Sequence, residues 1–236
     1  MAKIFCIANQ KGGVGKTTTA VNLAAGLAKV GQRVLMIDLD PQGNATMGSG
    51  VDKRKLELTV YDVLLESASI EEARVKSDKF VEGGCSYDIV GANRELSGAE
   101  VELVDLERSE KRLKLALVPV QQDYDFILID CPPSLSMLTL NGLCCAHGVI
   151  VPMQCEYFAL EGLTDLVNTI KQVHANLQGI AHHRLAARHV RCPYHFAAAG
   201  ERAAQGAFRQ QGFQYRHPAQ CTFGRSAQLW TARACV

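Results

Sequence analysis

The segment Ala8-Asn9-Gln10-Lys11-Gly12-Gly13-Val14-Gly15-Lys16-Thr17-Thr18 limits what this chain can fold into more than any other. It follows an apolar run, Ile4-Phe5-Cys6-Ile7, short and partly branched as a buried strand is. It precedes Ala20, Leu23, Ala24, Leu27 and Ala28, whose spacing is that of one helix face. Strand, glycine-rich turn and helix N-terminus together make a phosphate cradle. Glycines let successive N–H groups point inward, and the helix end adds partial positive charge. Lys16 is then placed to neutralise the β and γ phosphates, and the Thr17 hydroxyl to meet a magnesium ion. The usual pattern, G-x-x-x-x-G-K-[ST], is broken at one place: Gln10 stands where its first glycine belongs, and an additional lysine, Lys11, follows. A bare glycine turn would not need both the flanking strand and the helix. The segment reads as a nucleotide site.

Length and composition narrow the setting. A chain of 236 residues with 47% apolar content suits one α/β domain with a sizeable core. No apolar run approaches the ~18 residues of a membrane span, and the N-terminus enters a strand at once, so neither a membrane segment nor a signal peptide is expected. The nine cysteines form no C-x-x-C pair. They read as buried small hydrophobes of a reducing cytoplasm rather than as metal or redox ligands.

After the first helix, Arg33-Val34-Leu35-Met36-Ile37 reads as a second strand, leading into Asp38-Leu39-Asp40-Pro41-Gln42-Gly43-Asn44. Acidic groups at a strand's carboxyl end lie where open α/β sheets bind ligands. Pro41 and Gly43 impose a turn, which puts Asp38 and Asp40 near the phosphates rather than inside the strand. Residues 52–85 are polar with helical patches, and no chemistry is legible there. Strands are expected at Tyr87–Val90, Asp125–Asp130 and Gly148–Met153, and helices over 98–122, through Leu138–Leu143 and over Leu160–Asn176. The apolar run closing on Asp130 is a second nucleotide signature, in which the aspartate holds magnesium, usually through water. Cys131-Pro132-Pro133-Ser134, just after it, is placed to respond to the γ phosphate. Alternating strands and helices predict a doubly wound, mostly parallel sheet.

Together, Asn9–Thr18, Asp38–Asn44 and Asp130–Ser134 resemble the ParA family of partitioning ATPases, the deviant Walker A proteins related to MinD and the nitrogenase iron protein. The resemblance covers about residues 2–177 and, with Met1 leading directly into the first strand, looks like the short chromosomal type. It implies a P-loop NTPase that binds ATP and magnesium through Lys11, Gly12, Gly13, Val14, Gly15, Lys16, Thr17 and Thr18. Thr17, Asp38 and Asp130 would serve the metal. Lys11 would be the signature lysine, a cation supplied in trans to the partner subunit's phosphates in an ATP-bound homodimer, with Gly12 and Gly13 at the closest approach of the two subunits. Lys16 would hold phosphate, and Asp40 would orient the attacking water. The resemblance also implies that the dimer binds DNA without sequence preference, that a ParB-type partner stimulates hydrolysis, and that the protein works in the cytoplasm on the nucleoid.

Beyond Leu177 the resemblance stops. Residues 178–236 carry eight Arg, one Glu and neither Lys nor Asp, a charge of +7, while the remainder holds 17 basic and 23 acidic groups. A basic tail ordinarily points to nucleic acid. A displaced reading frame explains this one better. Taking the second and third bases of each codon with the first of the next, His189 yields methionine and Trp230 yields glycine. Permitted codons then spell a string with strand and helix patterns and a Pro-Arg-Asn loop similar to the family's C-terminal region. The expected organisation is a P-loop ATPase domain over 1–177 and a non-homologous, poorly ordered tail over 178–236 that leaves the C-terminal part of the fold incomplete. Competing readings are a MinD-like membrane-associated ATPase, which needs an amphipathic C-terminal helix, an iron–sulfur reductase using Cys131, and a frameshifted product without function.

Overall fold

The computed structural model describes residues 1–77 and 86–152. Over them runs a six-stranded sheet of order β3-β4-β2-β5-β1-β6. The strands are β1 (Lys3–Ile7), β2 (Val34–Asp38), β3 (Arg74–Lys76), β4 (Asp88–Val90), β5 (Phe126–Asp130) and β6 (Gly148–Ile150). All pairings are parallel except β3 on β4, which is antiparallel at the sheet's edge. The helices are α1 (Lys16–Lys29), α2 (Asn44–Gly48), α3 (Val60–Leu64), α4 (Ile70–Ala73), α5 (Leu96–Glu102), α6 (Arg112–Leu117) and α7 (Met137–Cys145).

Alternation along the strands explains the two layers. Ile4 and Cys6, Leu35 and Ile37, and Ile127 and Ile129 face one core, which α3 to α7 close with Val63, Leu103, Leu113, Leu117 and Leu138. Ile7, Val34, Met36, Ile89 and Leu128 face the other, closed by Ala20, Val21 and Ala24 of α1. Strands covered on both faces carry unbroken apolar runs; all five residues of β2 are buried. This is the doubly wound, mostly parallel architecture expected from the sequence. Four buried cysteines, Cys6, Cys131, Cys144 and Cys145, are free thiols in that core.

Two expectations are corrected. The single helix over 98–122 is instead α5, two 3-10 turns (Leu103–Asp105 and Ser109–Lys111) and α6. The break is made by Arg108, in the left-handed region at φ 56°, and by the buried Asn141 of α7. Asn141 Nδ2 donates to the Ser109 carbonyl at 2.7 Å, and its Oδ1 accepts from the Leu113 amide at 3.1 Å. A tertiary clasp thus overrides local helical preference. The second correction is β3, a strand within the stretch read as polar and helical. The end of the strand expected to reach Met153, the helix over 160–176 and the tail from 178 lie outside the described residues.

The topology sets the site. β5 lies between β1 and β2, with Ile7 and Asp38 both in register with Asp130. Three carboxyl ends therefore meet at one edge of the sheet: the glycine loop leaves β1 there, and Asp38 and Asp130 close β2 and β5.

Candidate nucleotide site

The loop between β1 and α1 owes its path to two glycines. Gly13 and Gly15 sit at φ 73° and 87°, which side chains rarely adopt, and Gly15 is the residue that caps α1. Among the described residues, a Cβ on Gly12, Gly13 or Gly15 would meet nothing within 4 Å, which leaves room beside the loop. Val14 is buried under the loop, and Thr18 is exposed on the first turn of α1. The loop's start is tied down by Asn9, which the sequence reading left without a role. Its side chain donates to the Pro152 carbonyl at 2.7 Å and accepts from the Lys11 amide at 3.0 Å.

Lys16 opens α1 and is only 8% exposed. Its Nζ donates to the Lys11 carbonyl at 3.3 Å, so the two motif lysines lie across one turn of backbone. Burial lowers the pKa of Lys16 from its ordinary value, against the opposing pull of Asp130 and Asp40. A largely buried ammonium beside the glycine loop is suited to receive an anion.

Thr17 and Asp130 are brought together across the sheet edge, the threonine hydroxyl donating to Asp130 Oδ2 at 2.7 Å. The other oxygen, Oδ1, is buried and has no hydrogen-bond partner among the described residues. An orphaned carboxylate oxygen beside a threonine hydroxyl is the donor set a hard divalent cation takes. The residues present fit magnesium.

Asp38 and Asp40 separate in role. The sequence places both beyond the strand; Asp38 is instead the last residue of β2 and fully buried. The strand runs on because the Asp38 side chain finds protein donors: Asp40 N–H at 3.1 Å, and Thr46 N–H and hydroxyl at 2.9 and 2.8 Å. Asp40 lies in the following turn, partly exposed, its carboxylate accepting from the Gln42 amide at 2.9 Å and its carbonyl from the Gly43 amide at 2.8 Å. Thr46 lies outside every motif; only the fold brings it to the site. Cys131, next to Asp130, turns into the core, its sulfur 3.0 Å from that of Cys6, and the hydrogen bond with that neighbour, then burial, push its thiol pKa well up.

Burial raises Asp38 to about 6. Burial and then the charge of Asp38 raise Asp130 to about 7, opposed by the Thr17 bond and Lys16. Both folded values exceed the ordinary carboxylate value, so the protonated forms stabilise the fold. That stabilisation is complete below about pH 4 and is lost as the pH rises through the folded values. Without ligands, the thermal midpoint should therefore fall between about pH 5 and 8, and Asp130→Asn should flatten the dependence. An Asp130→Asn profile as steep as that of the parent chain would contradict this electrostatic picture.

Comparison with known proteins places this geometry. An uncharacterized protein of Pseudomonas putida is 60% identical over 177 residues, 75% of this chain and 65% of its own length. The sporulation initiation inhibitor protein Soj of Bacillus subtilis is 52% identical over 177 residues, covering 75% of this chain and 68% of Soj. The chain thus spans less than two thirds of the Pseudomonas relative. Among solved structures, cobyrinic acid a,c-diamide synthase from Mycobacterium smegmatis with bound ADP and magnesium is similar, with TM-score 0.70 and 44% identity, over 74% of this chain and 69% of that one. Among the described residues no helix is long and apolar enough to cross a membrane. The chromosome-partitioning ATPase Soj of Treponema pallidum is 50% identical over 177 residues, 75% of this chain and 67% of its own length. Residues 2–181 match the family model described as an AAA domain, AAA_31, and the chain belongs to this family, as a relative of the Soj proteins.

Proposed function

We propose that this chain is the ATP-hydrolysing switch of a DNA-partitioning system. One observation carries the reading: Thr17 at the head of α1 and Asp130 at the end of β5 meet at 2.7 Å beside buried Lys16, whose ammonium reaches the carbonyl of Lys11 in the preceding loop. Lys16 and the loop amides bind the β and γ phosphates, and Thr17 and Asp130 hold magnesium, which when bound neutralises charge on the phosphate oxygens. Asp38 stands at the same edge. Asp40 orients the attacking water. Lys11 acts across an ATP-bound homodimer on the partner subunit's phosphates, a cation in trans of the kind worth on the order of 10³–10⁵ in rate. The dimer holds duplex DNA through backbone phosphates without sequence preference, and a ParB-type partner accelerates hydrolysis and so releases it. The site of action is the cytoplasm, at the nucleoid.

The domain division follows the same reading. Residues 1–177 form the ATPase unit, and residues 178–236 are translated out of frame. Matches of 177 residues to both the Pseudomonas and the Bacillus relative support that division.

Phosphate release by the full chain, with duplex DNA and the ParB-type protein of the same genome, tests the function. Slow basal release that the partner accelerates is expected. Lys11→Ala should bind ATP with near-parental affinity and lose the acceleration. Partner-independent turnover in the parent chain, or full acceleration in Lys11→Ala, would overturn the reading.

A further inference from the structure

Thr46 belongs to none of the nucleotide motifs, yet it is fully buried and every polar atom it can use at the site is engaged. It lies on α2, directly after the turn that carries Asp40. Its amide and its hydroxyl both donate to Asp38 Oδ2, at 2.9 and 2.8 Å, and the same hydroxyl accepts from the Ala92 amide at 2.9 Å. Asp38 Oδ1 accepts in turn from the Asp40 amide at 3.1 Å. An unbroken chain of hydrogen bonds therefore runs from the end of β4, through Thr46 and Asp38, to the backbone of Asp40.

The surroundings leave this chain little play. A Cβ on Gly91 would come within 2.9 Å of Thr46 Cγ2, and one on Gly43 within 2.5 Å of the Ala92 carbonyl. The Asp40 turn, α2 and the segment after β4 are thus in backbone-close contact. The two site aspartates that close strands differ sharply. Asp38 is buried with three protein donors on its two oxygens, using most of the roughly four acceptor sites a carboxylate has. Asp130 keeps Oδ1 without a partner among the described residues.

We propose that Asp38 and Thr46 are a positioning pair that fixes the Asp40 backbone, and that Asp38 is not a ligand of the metal. The proposal rests on the reading of Asp40 as the residue that orients water. Because Asp40 also accepts from Gln42 and Gly43 within its own turn, its carboxylate direction follows from where Asp38 holds its amide. Removing the Thr46 hydroxyl takes one donor from Asp38 and orphans the Ala92 amide, and the turn loosens. A displacement of an ångström in such a group costs about 10²-fold in rate.

The test uses the full chain carrying Thr46→Val, Thr46→Ser, Asp38→Asn or Asp40→Ala. Three quantities are measured: amide hydrogen exchange at Asp40, manganese affinity by electron paramagnetic resonance with a slowly hydrolysed ATP analogue, and single-turnover phosphate release. Thr46→Val should speed exchange at Asp40 and slow phosphate release by about 10²-fold. Thr46→Ser should restore both. Manganese affinity should be unchanged in Thr46→Val and Asp38→Asn, and a variant carrying both substitutions should release phosphate no more slowly than the slower of the two single variants. A tenfold or larger loss of manganese affinity in Asp38→Asn would make Asp38 a ligand and overturn the proposal. So would unchanged Asp40 exchange in Thr46→Val. If Asp38→Asn does not fold, the comparison of Thr46→Val with Thr46→Ser decides. Parental turnover in Asp40→Ala would instead sink the water-orienting role of Asp40, while exchange and manganese affinity still decide the positioning link.

Discussion

Lys16→Ala should abolish measurable ATP binding while leaving the fold intact. Lys16 is nearly buried at the head of α1, and among the described residues its ammonium makes one hydrogen bond, a long one of 3.3 Å to the Lys11 carbonyl. Burial already holds its pKa below the ordinary lysine value, so the free site carries a poorly compensated cation. A phosphate oxygen supplies the missing counter-charge, and a charge-assisted bond of this kind contributes about 3 kcal/mol or more, at least about 10²-fold in affinity. Alanine removes that bond and returns to the phosphates an uncompensated negative charge. It also relieves a desolvated ammonium, so the ligand-free thermal midpoint should not fall. Calorimetric titration with ATP and magnesium checks the first statement and a melting curve the second. Parental affinity in Lys16→Ala would mean that phosphates bind elsewhere.

Asp40→Ala should do the opposite: bind ATP and stop turning it over. Among the described residues Asp40 makes no hydrogen bond to Thr17, Lys16 or Asp130, the groups that fit phosphate and metal, and acts on Lys16 and Asp130 only through its charge. It sits in a turn fixed at both sides, by Asp38 on its amide and by Gln42 and Gly43 on its side chain and carbonyl. A partly exposed carboxylate so placed can hold a water against the phosphate end of the hollow. Loss of a group that orients or deprotonates the nucleophile lowers rate by about 10²–10⁴-fold. Quenched phosphate-release assays at saturating ATP measure this directly. The expected product is a long-lived ATP-bound dimer; hydrolysis at the parental rate would remove Asp40 from the mechanism.

The strands that build the site were legible because they are buried on both faces. Val34–Asp38 and Phe126–Asp130 are continuous apolar runs that no surface helix would carry. Glycine placement made the loop legible as well, since Gly13 and Gly15 occupy backbone conformations other residues resist. The end of β2 was not. Pro41 and Gly43 announce a turn, but only the hydrogen bonds from Thr46 and Asp40 explain why Asp38 remains in the strand. The broken helix over 98–122 was hidden for the same reason, because Asn141, distant in sequence, takes the backbone groups that would have continued it. At Arg74–Lys76, three residues with a charge at either end carry too little periodicity to announce an edge strand. Asn9 and Thr46 act through side-chain bonds to residues remote along the chain, Pro152 and Ala92, which no spacing rule encodes.

Sedimentation velocity of the full chain in magnesium, with ATP, with ADP and without nucleotide, tests the central claim most directly. A switch of the kind proposed sediments as a dimer with ATP and as a monomer in the other two conditions. Asp40→Ala should hold the dimer indefinitely, and Lys16→Ala should never form it. A chain whose mass is the same in all three conditions would contradict the account, whatever its affinity for ATP.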